Sequence, residues 1–269
     1  MGITRILASY TTAYSGSANR IQNLRRAAVL IDGAILAPTE TFSFNNRVGP
    51  RTEKRGFRTA PTIVDGEYKD KVGGGVSQVA TTMFNAAWEA GLKIVERTAH
   101  SLYIARYPLG RDATVNYPDV DFKFTNDTKN YIVVRAIAGS GGITINLLGA
   151  PTNRRIETEV GEFRVVGEPE MELVPDPTLF EGQRVVEDEG EPARAVSVKR
   201  TVYLGDRVLH EETWYTSFRS EPKIVRVGTI PVEEEEAPAE PTTTGPKSQP
   251  TTTSTTPTPT TPTTTGTKP

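Results

Sequence analysis

Apolar positions along the chain change their period more than once. Between Asn19 and Ile31, the residues Ile21, Leu24, Ala28 and Ile31 form one helical stripe, and Gly33 is placed to end it. A second helical run, from about Gln78 to Ala90, carries Val79, Ala80, Met83, Phe84, Ala87 and Trp88 and stops at Gly91. Gly73, Gly74 and Gly75 lead straight into it, so a glycine loop opens onto a buried helix. Between the helices, Phe57–Val64 and Glu67–Lys71 flank Asp65-Gly66, a dipeptide suited to a type I′ hairpin turn. Strand-like segments follow at Lys93–Arg97, Leu102–Arg106, Asp121–Thr125, Tyr131–Ala138 and Ile143–Leu148. Together these predict an α+β domain over residues 3–150, with one helix packed on a mostly antiparallel sheet.

From about residue 155 to 230 the helical period disappears. Arg194–Leu204 and Arg207–Phe218 read as two long strands around Gly205-Asp206, with Lys223–Val227 as another. Charged residues alternate through them, which leaves each a thin apolar face and predicts an elongated all-β module. Glu233–Glu236 closes the ordered part. Pro241–Pro269 holds no aliphatic or aromatic residue, so residues 231–269 read as an acidic, then Thr/Pro-rich, disordered tail.

Composition removes several chemistries. The 269 residues include no cysteine, so thiolate nucleophiles, disulfides and thiolate metal sites are out. Two histidines, His100 and His210, argue against a His-rich zinc centre, and neither a metal nor a cofactor is expected. The net charge of −2 divides into +6 over residues 1–150 and −8 over the rest. That basic excess is too scattered for nucleic acid but suits an anionic polymer. No run reaches membrane-span length, and the stretch after Met1 lacks signal-peptide character.

Residues 3–150 resemble the VanW family. The likeness rests on Leu7-Ala8-Ser9-Tyr10-Thr11-Thr12, the Asn19–Gly33 helix, Pro38-Thr39-Glu40-Thr41-Phe42-Ser43-Phe44-Asn45 and Val48-Gly49-Pro50-Arg51. It continues through Gly73–Gln78, His100-Ser101 and Gly110-Arg111-Asp112-Ala113-Thr114-Val115. Many members of that family carry Cys where this chain has Ser77. Residues 155–230 resemble the G-five (G5) domain, through Pro177-Thr178-Leu179, Gly182, the Ser197–Leu204 and Arg207–Tyr215 hairpin, and Val225-Arg226-Val227-Gly228-Thr229. The pairing implies an exported envelope protein, extracytoplasmic at the cell wall or surface, with peptidoglycan or another wall glycan such as N-acetylglucosamine as partner. The missing export signal then reads as a truncated or excised chain.

Two kinds of site compete on these residues. In the catalytic one, Ser77 at the helix N-terminus is the nucleophile, His100 its base and Asp112 the orienting carboxylate, with Asp121 an equal alternative. This order follows the transglutaminase-like plan, and the N–H groups of Gly75, Val76 and Ser77 would form the oxyanion hole. It implies a wall-peptide hydrolase or transpeptidase. In the binding one, Gly74, Gly75 and the helix N-terminus hold a carboxylate, Gln78 orients a ligand amide, and Arg111 pairs with a carboxylate of the wall. Tyr103, Tyr107 and Tyr117 could wall a sugar, and Trp214 is the best single sugar contact on the second module.

Each residue also has a plainer role. Ser77 can cap the helix, His100 can bond a turn, Asp112 can stabilise a turn, Gln78 can occupy the first helical turn, and Arg111 can pair with a neighbouring acid. His210 is most simply a solvated strand residue. Recognition of peptidoglycan or another wall glycan is the leading expectation, with the hydrolase or transpeptidase second and an adhesive or spacer protein third.

Overall fold

A computed structural model describes residues 2–14, 16–64 and 66–232. Asp65 of the expected turn and nearly all of the acidic and Thr/Pro-rich tail lie outside the described residues. The chain begins with β1 (Arg5–Ala13), α1 (Ala18–Ile31), β2 (Ile35–Leu36), β3 (Thr41–Ser43) and α2 (Phe44–Val48). A 3₁₀ turn at Glu53–Arg55 precedes the hairpin of β4 (Thr59–Val64) and β5 (Glu67–Val72). Then come α3 (Val76–Glu89), β6 (Lys93–Glu96), β7 (Lys123–Thr125), β8 (Ile132–Ala138) and β9 (Gly142–Gly149).

The main sheet runs β1-β9-β8-β2 and is antiparallel at every pairing. Strict alternation in β9 buries Ile143, Ile145 and Leu147 on one face, as a strand covered on one side requires. Helices α1 and α3 pack on this sheet and on each other. Ser17 caps α1 by accepting the Arg20 N–H, and Leu24, Ala27, Ala28 and Ile31 form its buried stripe. Two long helices therefore cover the sheet where the sequence suggested one. A smaller antiparallel sheet, β3-β7-β6, brings Phe42 and Phe124 into a stacked pair 5.2 Å apart. Phe84 of α3 meets Phe122 edge-on at 5.6 Å and joins this aromatic cluster to the helix.

The Leu102–Arg106 segment is not a strand: it forms bends and turns, with Leu102 buried and Tyr103 on Phe163 and Phe218. Strand β1 and helix α2 were not foreseen, because their apolar residues are sparse and their partners lie far along the chain.

No helix occurs between residues 150 and 230. This part contains β10 (Arg154–Val160), β11 (Arg164–Gly167), β12 (Met171–Phe180), β13 (Arg184–Asp188), β14 (Ala193–Leu204), β15 (Arg207–Phe218) and β16 (Lys223–Ile230). The foreseen hairpin is β14–β15, with Leu204 opposite Arg207 at the turn. Both β10 and β11 pair along the other edge of β14. A separate sheet, β12-β16-β13, has a parallel β12–β16 pair. The described residues up to Ile230 form one compact unit. Among them no helix is long and apolar enough to cross a membrane.

Candidate functional site

Each of the three glycines before α3 has its own reason to lack a side chain. Gly73 and Gly75 have φ of +92° and +96°, the left-handed region that β-carbons disfavour. A β-carbon on Gly74 would stand 2.1 Å from the Ala60 carbonyl oxygen, so the loop lies hard against β4. Buried Asn23 of α1 locks this approach. Its Nδ2 donates to the carbonyls of Arg58 (2.8 Å) and Gly74 (2.9 Å), and its Oδ1 accepts the Arg58 N–H at 2.7 Å.

Gly75, not Ser77, is the N-cap of α3, and Ser77 is the second helical residue. The Ser77 hydroxyl accepts the Val115 N–H at 3.2 Å and lies 3.2 Å from Thr114 Oγ1. One turn on, Thr81 Oγ1 donates to the Ala113 carbonyl at 2.9 Å and accepts the Ala113 N–H at 3.0 Å. One turn further, Asn85 donates to the Arg111 carbonyl at 2.8 Å. Ser77, Thr81 and Asn85 thus form an i, i+4, i+8 polar ridge that fastens residues 111–115 along α3. This ladder, visible in the sequence only as spacing within an apolar helix, was missed. The oxyanion-hole amides are reduced as well, because the Val76 N–H goes to the Gly73 carbonyl at 3.2 Å.

His100 and Asp112 do meet. His100 Nδ1 lies 2.7 Å from Asp112 Oδ2, and the His100 backbone N–H donates to the same oxygen at 2.6 Å. A carboxylate only accepts, so Nδ1 carries the hydrogen, and Nε2 keeps a lone pair whenever the ring is neutral. Tyr107 stacks on the imidazole at 6.0 Å. Burial pushes the Tyr107 phenol up to about 12. Burial also works to raise the Asp112 carboxyl, yet the His100 bond and the charges of His100 and Arg97 outweigh it and hold Asp112 low. Arg97 grips the turn from several sides. It donates to the Asp112 carbonyl at 2.6 Å, Asp112 Oδ1 at 2.9 Å, the Gly110 carbonyl at 3.0 Å and Thr216 Oγ1 on β15 at 2.9 Å.

Two cavities meet at this place. One of about 290 Å³ is lined by Arg20, Gly75, Gln78, Arg106 and Tyr107, and the other, of about 460 Å³, by Arg51, Lys71, Gly74, Tyr117 and Arg219. Both touch Thr62, Ile63, Ser77, His100 and Thr114. Among the described residues no Asp or Glu stands in either lining. Ser77 and His100 therefore share a basic cleft, although Ser77 bonds the Thr114 hydroxyl and the Val115 backbone and not the imidazole.

The sequence matches known proteins where this cleft is built. Residues 19–148 match the family model described as VanW like protein. The chain carries a VanW-like domain. It is 43% identical over 145 residues to the uncharacterized protein YoaR of Bacillus subtilis (strain 168), covering 54% of this chain and 48% of that one. It is 29% identical over 117 residues to the Vancomycin B-type resistance protein VanW of Enterococcus faecalis (strain ATCC 700802 / V583), covering 41% and 42%. The chain thus spans about half, or less, of the length of these curated relatives. Two solved structures also match, one titled "Crystal structure of HP0197-G5" and one "IgA1 Protease G5 domain structure". The first is 18% identical with a TM-score of 0.17, covering 28% of this chain and 97% of that chain. The second is 24% identical with a TM-score of 0.20, covering 29% and 88%.

The other candidates of the VanW-like domain turn inward. Gln78 is buried, donating to Thr12 Oγ1 (3.1 Å) and the Ala13 carbonyl (2.8 Å) and accepting from Arg20 at 2.8 Å. It binds the cleft wall together instead of presenting a free amide. Arg111 does not reach the cleft: it bonds Asn85 at 2.9 Å, pairs with Glu89 and lies over the Trp88 ring at 5.1 Å. Asp121 is removed from His100, accepting from Ser43 Oγ and the Asn45 and Phe122 N–H groups at the head of α2. Beyond the domain, Trp214 is half-buried against the core with Nε1 shielded and unbonded, because neighbouring strand residues face opposite sides and Tyr215 takes the outward one. His210 is not simply solvated, since its Nε2 lies 2.6 Å from Asp127 Oδ2. Among the described residues no group of three or more His, Asp or Glu side chains is placed to hold a metal. The residues that sequence reasoning missed are Arg97, Thr114 and the cleft cations Arg20, Arg51, Lys71, Arg106 and Arg219. Their signal is a sign imbalance that appears only when the segments come together.

Proposed function

We propose that this chain is a bacterial cell-envelope protein whose VanW-like domain takes a carboxylate-bearing peptidoglycan fragment in the Ser77–His100 cleft. The observation that carries this reading is the lining: among the described residues Arg20, Arg51, Lys71 and Arg106, and no acidic side chain, stand around a helix head, His100 and Tyr107. Exposed Arg106 lines one cavity and exposed Lys71 the other, suited to a peptide with more than one carboxylate. The relative bearing vancomycin resistance in its name supports a wall context. In the same reading residues 155–230 are a second, G5-like domain outside the cytoplasm. Its exposed Tyr215, 64% accessible, replaces Trp214 as the surface for a wall sugar.

Titration with a purified disaccharide–stem peptide tests this. The Lys71→Ala/Arg106→Ala variant is expected to bind about tenfold or more weakly than the wild type, the scale of two charge-assisted contacts. Equal affinity of the two proteins would sink the assignment.

A second reading has its own support. With Asp112 on Nδ1, His100 is oriented to act as a base in the cleft that Ser77 also lines. Hydrolysis or transpeptidation then requires Ser77 to leave Val115 and Thr114. A mass-spectrometric muropeptide profile decides: fragments made by the wild type and not by His100→Ala support it, and unchanged profiles from both folded proteins remove it.

A further inference from the structure

The VanW-like domain has a second basic feature that shares no residue with the cleft. Gln22, Arg25, Arg26 and Val29 recur at i, i+3, i+4 and i+7 on α1 and project on the side away from buried Leu24, Ala28 and Ile31. Across from them the 3₁₀ turn presents Lys54 and Arg55. The two surfaces flank an open groove of about 660 Å³.

The floor of the groove is built. Gln22 Nε2 donates to the Gly56 carbonyl at 2.9 Å and Arg26 Nε to the Arg55 carbonyl at 2.9 Å. These bonds turn the 3₁₀ segment's carbonyls toward the helix, and Gly56, at φ +86°, lets the chain leave in the left-handed conformation. Because Arg26 uses Nε for the floor, its terminal nitrogens remain for a ligand. Arg25, Lys54 and Arg55 have no ion-pair partner among the described residues, whereas Arg97, Arg154, Arg200 and Lys223 each have one. Arg25, Arg26 and Lys54, with the Arg55 guanidinium packed beside Gly49, meet no carboxylate among the described residues of the lining, and they repel one another until an anion joins them.

We propose that this groove binds a linear phosphodiester polymer, a role independent of the cleft reading. Guanidinium forks match phosphate oxygens in pairs, and an open groove admits a chain with charges at intervals. Among the described residues the lining contains no aromatic side chain, which removes the stacking platform that single-stranded nucleic acid uses. Val29, 65% accessible, is the single large apolar residue in it, too little to insert into a lipid bilayer.

Poly(glycerol phosphate) is the probe, titrated into the full chain at several salt concentrations. The Arg25→Glu/Lys54→Glu variant is expected to bind at least about tenfold more weakly, with a shallower dependence of affinity on salt. Lys129→Glu, an equal charge change per site on an exposed residue elsewhere, is expected to bind as the wild type does. Arg25→Gln/Lys54→Gln, which removes charge without adding repulsion, should weaken binding in the same direction. The proposal is overturned if the double variants bind like the wild type, or if Lys129→Glu loses as much. Equal or tighter binding of oligonucleotides or phosphatidylglycerol vesicles would overturn the polymer assignment in favour of those anions.

Discussion

The two sheets that follow residue 150 differ sharply in what they touch. Strand β14 buries Ala195, Val196, Val198, Arg200, Thr201 and Val202, and with β10 and β15 it closes over the end of α3. Trp88 Nε1 donates to Thr158 on β10, Arg154 and Arg200 donate to the Gly91 and Leu92 carbonyls, and Arg97 reaches Thr216 on β15. Arg200 and Arg111 sandwich the Trp88 ring at 4.9 and 5.1 Å. The β12-β16-β13 sheet buries only Asp176 and Val225, and Leu173, Val185 and Val186 face solvent. One sheet is a support for the Asp112 turn and the other a thin ribbon.

The largest break is expected at Arg200, which is fully buried and 3.4 Å from Glu212. Arg200→Ala strands Glu212 and the Leu92 carbonyl and should cost about 3 kcal/mol in chemical denaturation. Next is Arg97→Met, which releases Asp112 and Thr216 together. It should weaken stem-peptide binding about tenfold, while Thr216→Val, which removes one of the Arg97 bonds, should have a smaller effect in the same direction. If Arg97→Met binds like the wild type, the β15 link is irrelevant to the site.

Acid sharpens the same contrast. The Asp127 carboxyl is raised by burial but lowered further by His210 and Arg154, reaching about 2, and Asp112 is also held low. Both native values lie below the unfolded one, about 3.9, so their contribution is complete above that pH and disappears as pH falls through the native values. The melting temperature should therefore fall between about pH 4 and pH 2, and Asp127→Asn should flatten that fall. An equally steep fall in the variant would show that this pair is not responsible. Ser77→Ala should cost about 1 kcal/mol by removing one rung of the α3 ladder. At the small end, Val186→Thr on the ribbon should change stability by no more than about 0.5 kcal/mol.

Much of this was legible where periodicity and punctuation agree. The Gly73–Gly75 loop, α3, the β4–β5 pair and the β14–β15 hairpin follow from apolar spacing and turn residues within one stretch of chain. Pairing of His100 with Asp112 was legible as a candidate because both types suit the chemistry. Ser77 was misjudged as a cap because its partners, Thr114 and Val115, lie 37 and 38 residues away. Leu102–Arg106 has strand-like composition but spends its aromatic residue on Phe163 and Phe218 instead of a ladder. The role of Arg97 needs four bonds to three residues in two distant segments, and no local pattern encodes that.

The chain has two histidines, which provides an internal control. In ring-¹⁵N spectra of histidine-labelled protein, a carboxylate-bearing stem peptide should shift the His100 resonances. His210, held by Asp127 outside the cleft lining, should stay in place. Movement of His100 alone is the result this account predicts. A still His100 at saturating peptide, or movement of His210 alone, would contradict it.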